Sequence, residues 1–211
     1  MHTFFIVILV VTSVVALTFV VERAWALRWN RVIPPTVQHV VEFYRSGDQL
    51  PQLRQICEQN PSTLSRLLLF ASQHLDWTRV EAVELIETRA RHETAKLERG
   101  LVILEIIIGI APLMGLVGTI YGLIMLFGSM GGVAGVDSVK FAQGISTALY
   151  ATLLGLLVAI PALIAWSYFS KKVENLTVEL ATICDEFLRK HYHVKPVAER
   201  PPALPTMSEP R

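Results

Sequence analysis

The stretch LVILEIIIGIAPLMGLVGTIYGLIMLF, residues 101–127, decides how this chain folds. It carries one charge, Glu105, close to its start. A helix rises ~1.5 Å per residue, so about 20 apolar residues cross the ~30 Å hydrocarbon core of a bilayer. Residues 101–127 are long enough to do so. A helix on a soluble core would show a polar face along such a length, and this one does not.

Two further stretches share the property. Residues 3–21 contain no charge, and neither do residues 144–169, which Lys171 and Lys172 close. The overall hydrophobic content of 52% is near the roughly 45–50% of soluble domains, so the clustering decides the class and the total does not. The fold class is therefore an all-α integral membrane protein with three transmembrane helices and long helical extensions on the cytoplasmic side. The segment boundaries are 1–21, 101–127 and 144–169 for the helices, 22–100 for a cytoplasmic helical segment, 128–143 for a periplasmic loop, 170–193 for a cytoplasmic helix and 194–211 for a disordered Pro-rich tail. A cleaved leader is the rival reading of the first stretch, because Ala24 and Ala26 make an A-x-A pattern. The apolar run is too long for one, and Glu22 and Arg23 occupy the place of a small neutral cleavage region. We expect a retained helix.

Basic residues set the orientation. Arg23, Arg28 and Arg31 follow the first span, Arg91, Lys96 and Arg99 precede the second, and Lys171 and Lys172 follow the third. The link between the second and third spans holds only Lys140. The N-terminus should lie outside and the C-terminus inside.

The inner segment reads as helices. Pro34-Pro35 should break any helix leaving the first span. An amphipathic run over 36–45, a turn at Ser46-Gly47-Asp48 and a helix over 52–59 follow. After Asn60-Pro61, Ser62 or Thr63 can cap a third stretch that runs to about His74. A fourth helix should start near Thr78. Its apolar stripe of Val83, Ile86, Ala90, Leu97 and Leu101 leads straight into the second span, and Glu87 and Arg91 add an i,i+4 pair. The link contains Gly128, Gly131, Gly132 and Gly135 and reads as a hairpin loop.

Net charge is +1 from 19 basic and 18 acidic residues, which gives no footprint for nucleic acid. Cys57 and Cys184 cannot make a disulfide framework and read as inert packing residues. No nucleophile elbow, HExxH or Walker loop is present, so the chain should not be an enzyme, and neither a cofactor nor a metal is called for. His191-Tyr192-His193 is the only close histidine pair.

The spans carry ordered small and hydroxyl residues. Gly115, Gly118, Thr119 and Gly122 share one face of the second span, and Ala148, Thr152, Gly155, Ala159 and Ala162 share one face of the third. Small faces let helix backbones approach closely in lipid, so these spans should pack against each other, against neighbouring subunits, or both. Pro112 and Pro161 each remove a ladder bond at membrane depth, which needs a neighbouring helix or water nearby. Ser146, Thr147 and Tyr150 lie near the outer end of the third span and either line an aqueous vestibule or bond across helices. Thr119 and Thr152 are either polar stations on a pathway or packing residues whose hydroxyls are satisfied by backbone carbonyls. The span centres hold no ionisable acid, although Glu105 is near the inner interface and Asp137 is in the link. A proton relay would need one from a partner.

The run from Ala111 through Pro112, Gly115, Gly118 and Thr119 to Gly122 resembles the second-span signature of the MotA/TolQ/ExbB proton channel family. The run from Gly144 to Thr152, followed by Gly155 and Ala159-Ile160-Pro161-Ala162, resembles its third-span signature, and the likeness is closest to the ExbB and TolQ branch. Glu22-Arg23 and the topology also fit. The resemblance implies a homopentamer whose second and third spans surround a central pore. It implies two copies of a single-span ExbD/TolR-like partner in that pore, supplying an Asp that takes up and releases the ion. It implies a channel subunit of an ion-driven motor in the bacterial inner membrane, energising work on the envelope such as TonB-type transport or Tol-type outer-membrane maintenance, with a TonB/TolA-like protein as a further partner. Thr119 and Thr152 map onto the two family threonines of the pathway. Many relatives carry Glu where this sequence has Thr147, so the hydroxyls of Thr119, Thr147 and Thr152 would have to serve beside the partner's Asp, and Na⁺ stands beside H⁺ as the ion. A non-conducting membrane scaffold is the alternative function.

Overall fold

The computed structural model describes residues 2–45, 47–129 and 138–194. They form seven α-helices in chain order: α1 (His2–Ala26), α2 (Trp29–Val32), α3 (Pro35–Phe43), α4 (Leu50–Gln59), α5 (Thr63–Gln73), α6 (Arg79–Ser129) and α7 (Ser138–Val194), with a 3₁₀ turn at Gly47–Gln49. Three of these are long and apolar enough to cross a membrane, over Phe5–Ala26, Arg79–Gly128 and Phe141–His193. The protein is an all-helical membrane protein. Its residues divide into two compact units, one of residues 1–32 and 91–179 and one of residues 33–90 and 180–211.

In the first unit, α1 turns a narrow stripe inward. Leu9 and Ala16 are buried, while Val10, Val11, Val14 and Leu17 are more than half exposed. Such exposed aliphatics are what a lipid-facing surface requires. The contacts give the direction of packing. Phe5 lies 5.9 Å from Tyr121 between ring centroids. Ala16 packs in one cluster with Ile107, Ala111, Ala159 and Ala162. The Arg23 guanidinium donates to the Leu97 carbonyl at 3.1 Å. Residue numbers rise along α1 as they fall along α6, so the two run antiparallel.

α6 and α7 are antiparallel as well. The Phe127 and Phe141 rings lie 6.1 Å apart near one end. At the other, the hydroxyls of Thr94 and Thr177 share a hydrogen bond of 3.1 Å. The buried Glu93 carboxylate pairs with the partly exposed Lys96 at 2.7 Å on α6. Any side chain at Gly100 would run into the Arg23 guanidinium, so this glycine makes room for the arginine that bonds beside it.

The second unit is held by an apolar core that includes Val37, Val41, Leu53, Leu64, Leu67, Leu68, Leu180, Ile183 and Phe187. Pro35 occupies the first turn of α3, where its missing N–H costs nothing. Lys190 donates to the carbonyls of Val41 (2.9 Å) and Glu42 (2.7 Å), placing a cation at the C-terminal end of α3. Ser62 caps α5, its hydroxyl accepting from the Ser65 N–H at 3.0 Å. Thr78 and Glu81 form a reciprocal box at the start of α6: the Glu81 carboxylate accepts from the Thr78 N–H (3.1 Å) and hydroxyl (2.7 Å), which holds its pKa below the usual range.

Several boundaries differ from the sequence reading. α1 ends at Ala26 and α2 intervenes, so the break after the first span comes before Pro34-Pro35. Leu27, the residue after that end, is fully buried. α4 begins at Leu50, with Pro51 tolerated in its first turn. No break separates the third span from residues 170–193, because nothing between Pro161 and Val194 interrupts the ladder. Both helices also reach into the link, α6 to Ser129 and α7 from Ser138. Ser46, the link residues Gly131, Gly132, Gly135 and Asp137, and the Pro-rich tail from residue 195 lie outside the described residues.

Candidate ion-pathway site

The small faces of α6 and α7 meet each other within one chain. A Cβ added at Gly115 would lie 2.8 Å from the Ala151 carbonyl oxygen and 3.0 Å from the Thr152 Cα. One added at Gly155 would lie 2.6 Å from the Ala111 carbonyl oxygen. Gly118 and Gly122 face the methyl groups of Ala151 and Ala148, each 2.9 Å from where a Cβ would stand. Backbone approach this close needs glycine on one side or the other, and it is the geometry that small faces produce in lipid.

That approach puts two hydroxyls beside carbonyls of the opposite helix. Thr119 and Thr152 hydrogen-bond to each other across the interface. Thr119 Oγ1 also lies 3.2 Å from the carbonyls of Gly115 and Ala148, and Thr152 Oγ1 lies 3.3 Å from that of Gly115. Two hydroxyls hold two protons. One bridges the pair and the other goes to a carbonyl: that of Gly115 when Thr119 donates the bridge, and that of Gly115 or Ala148 when Thr152 does. Gly115 is central because its own side chain would fill the space through which Thr152 reaches its carbonyl.

Thr119 is buried and Thr152 partly so. Pro112 and Pro161 lie inside α6 and α7 without ending them. Ala159 and Ala162 continue the α7 face into the cluster shared with Ala16. Ser146, Thr147 and Tyr150 are not brought to the threonine pair. All three are exposed, and the Thr147 hydroxyl donates back to the Gln143 carbonyl at 2.8 Å. They stand off the α6-facing stripe of Ala148, Ala151, Thr152 and Gly155, because neighbouring positions on a helix are turned by about 100°. Glu105 is also exposed.

Two features escaped the sequence reading. Ala151 fills the contact against Gly115 and Gly118, and its spacing of three from Ala148 and four from Gly155 marks it as a member of that face. Thr94 and Thr177 form a second hydroxyl pair, 25 residues before Thr119 on α6 and 25 after Thr152 on α7. Once one pair fixes the antiparallel register, the other follows.

The histidine pair is divided in use. His191 is buried with its Nδ1 2.9 Å from the Tyr44 hydroxyl, and His193 is exposed. Among the described residues no three His, Cys, Asp or Glu side chains gather as a metal site. Burial pushes the Cys57 thiol up to about 11 and the Cys184 thiol, beyond the apolar part of α7, up to about 12. Both remain protonated and unreactive at neutral pH.

Comparison with known proteins places this arrangement. The profile of the MotA/TolQ/ExbB proton channel family matches residues 61–182. An ExbB-like biopolymer transport protein of Synechocystis is 34% identical over 163 residues, covering 75% of this chain and 63% of the relative. The biopolymer transport protein ExbB of Helicobacter pylori is 43% identical over 81 residues, 38% of this chain and 56% of the relative. The Tol-Pal system protein TolQ of Pseudomonas aeruginosa is 30% identical over 193 residues, 85% of this chain and 82% of the relative. The chain thus spans less than two thirds of the two ExbB-type relatives and most of TolQ.

Proposed function

The chain belongs to the MotA/TolQ/ExbB proton channel family, and on that premise we propose that it is the channel subunit of an ion-driven motor of the ExbB/TolQ type in a bacterial inner membrane. Five copies surround a central pore lined by the apolar parts of α6 and α7. Two copies of a single-span ExbD/TolR-like partner occupy it and supply the ionisable carboxylate that the centres of these spans lack. Residues 1–21, 101–127 and 144–169 cross the membrane. The segments 22–100 and 170–193 and the tail 194–211 lie on the cytoplasmic side, and 128–143 lies on the periplasmic side. The antiparallel order of α1, α6 and α7 supports this threading. Ion flow energises TonB-type transport or Tol-type maintenance through a TonB/TolA-like protein.

The observation that carries the proposal is the hydroxyl bridge between Thr119 and Thr152, with its carbonyl acceptors on both helices. It is a polar station amid two spans whose centres carry no charge, and its proton can be handed either way. Ser146, Thr147 and Tyr150, exposed on the chain, are assigned to the pore wall at the outer end. Hydroxyl and carbonyl oxygens also suit Na⁺, so the ion is H⁺ or Na⁺.

A second reading has its own observation. The hydroxyls are satisfied within the chain, and the Thr94–Thr177 pair shows the same bond outside the apolar stretch. Both fit a scaffold that conducts nothing. Thr152→Val separates the two, since it keeps the shape and removes the hydroxyl. In the reconstituted complex we expect ion flux to fall about tenfold or more, the equivalent of one lost buried hydrogen-bond partner, with subunit stoichiometry unchanged. Unchanged flux in an intact complex would favour the scaffold.

A further inference from the structure

The end of α1 carries a group of side chains that ion conduction does not use. Residues 22–31 read ERAWALRWNR. Trp25 is 73% exposed and Trp29 42% exposed, immediately after an apolar helix. Indole rings favour the membrane–water interface, where an apolar body and a polar N–H are both satisfied.

The arginines divide into two kinds. Arg23 is engaged, with Glu22 at 2.7 Å and the Leu97 carbonyl at 3.1 Å. Arg28 and Arg31 are exposed, and no side-chain bond joins either guanidinium to the described residues. Glu22 is the only acid between residues 22 and 41, and Arg23 already holds it. Arg28 and Arg31 therefore have no acid within their own segment to pair with.

Backbone geometry gathers these groups. The Leu27 N–H donates to the Arg23 carbonyl at 3.0 Å, and Leu27 turns inward as α1 ends. The N–H groups of Arg31 and Val32 then donate to the Arg28 carbonyl at 2.9 and 3.3 Å. That single turn brings Arg28 and Arg31 to one side, and with Trp25 and Asn30 they line an open concavity.

We propose that this concavity seats the headgroup of an anionic phospholipid from the leaflet that meets the C-terminal end of α1. Two guanidinium forks match the oxygens of a phosphodiester, and Asn30 adds a side-chain amide that can donate. Trp25 packs on the glycerol and upper acyl region. The lipid is a better occupant than a soluble anion because the site adjoins a membrane-crossing helix and its largest exposed element is an indole. The inference rests on α1 being in the membrane and is independent of ion flow.

Tryptophan quenching in vesicles tests it. The full chain with Trp29→Phe, Trp77→Phe and Trp166→Phe retains Trp25 as its one indole. It is reconstituted in vesicles containing equal fractions of phosphatidylglycerol and phosphatidylcholine, with one or the other brominated. We expect brominated phosphatidylglycerol to quench Trp25 as though enriched about fivefold over its bulk fraction. Arg28→Gln with Arg31→Gln should abolish the preference, and Arg28→Lys with Arg31→Lys should retain part of it. Equal quenching by the two lipids would overturn the proposal without needing any arginine variant. So would a preference that survives loss of both charges. Relief of quenching by inorganic phosphate at fixed lipid composition would assign the site to a soluble anion and overturn it as well.

Discussion

Gly155 and Gly109 are both glycines in apolar helices, and their surroundings are opposite. A methyl at Gly155 would meet a backbone carbonyl at 2.6 Å, and backbone cannot move aside as a side chain can. A methyl at Gly109 would meet nothing within 4 Å. Gly155→Ala should therefore destabilise the purified chain in detergent by about 1–3 kcal/mol, as overpacking does. Gly109→Ala should be neutral or stabilising by up to about 1 kcal/mol, because alanine is the better helix former. Thermal unfolding midpoints of the two variants check the contrast, and equal effects would mean that the α6–α7 contact is looser than described. At this scale the sequence was readable wherever a pattern repeats. The spacing of Gly115, Gly118 and Gly122 along one helix face is such a pattern. Ala151 was missed because alanine is common in any span, and only its partner glycines give it a role. The bond between Thr119 and Thr152 was beyond reach of either helix alone, since it depends on their relative register.

Among the elements, α5 depends most visibly on its cap. Ser62 is buried and holds the Ser65 N–H, while the Ser65 hydroxyl passes on to the Asn60 carbonyl at 2.6 Å. Ser62→Ala leaves a buried N–H without its acceptor and should cost about 1 kcal/mol. Ser62→Thr keeps the oxygen and should recover most of it. Hydrogen exchange at the first turn of α5 reads the difference, and unchanged protection in Ser62→Ala would mean that the cap is dispensable. Asn60-Pro61-Ser62 announced this start, with Ser62 and Thr63 as the two options. The Thr78–Glu81 box is equally legible as T-x-x-E. The end of α1 was harder. The prolines at 34 and 35 are the obvious breakers, yet the helix ends sooner, at Ala26, where the sequence shows no breaker. Continuity of α7 through Pro161 and on to Val194 was also hidden, because a change from apolar to charged composition looks like a boundary while the backbone ladder takes no notice of it.

For the whole molecule, hydropathy alone gave the three spans. Lipid leaves so few ways to satisfy a buried backbone that a long uncharged run permits little besides a helix. The contacts then set α6 antiparallel to both α1 and α7. Assembly is another matter, because surfaces that meet other copies and surfaces that meet lipid are both apolar. Val102, Ile106, Ile110, Leu113, Val117 and Ile120 are all about half exposed or more on α6, as either role requires. The central claim, a pore built from several copies around a partner that brings the carboxylate, is tested most directly by the native mass of this chain co-expressed and purified with an ExbD/TolR-like single-span protein. The account predicts five copies of this chain with two of the partner. A monomer or dimer that retains no partner would contradict it, and would leave the small faces of α6 and α7 as helix packing within one chain.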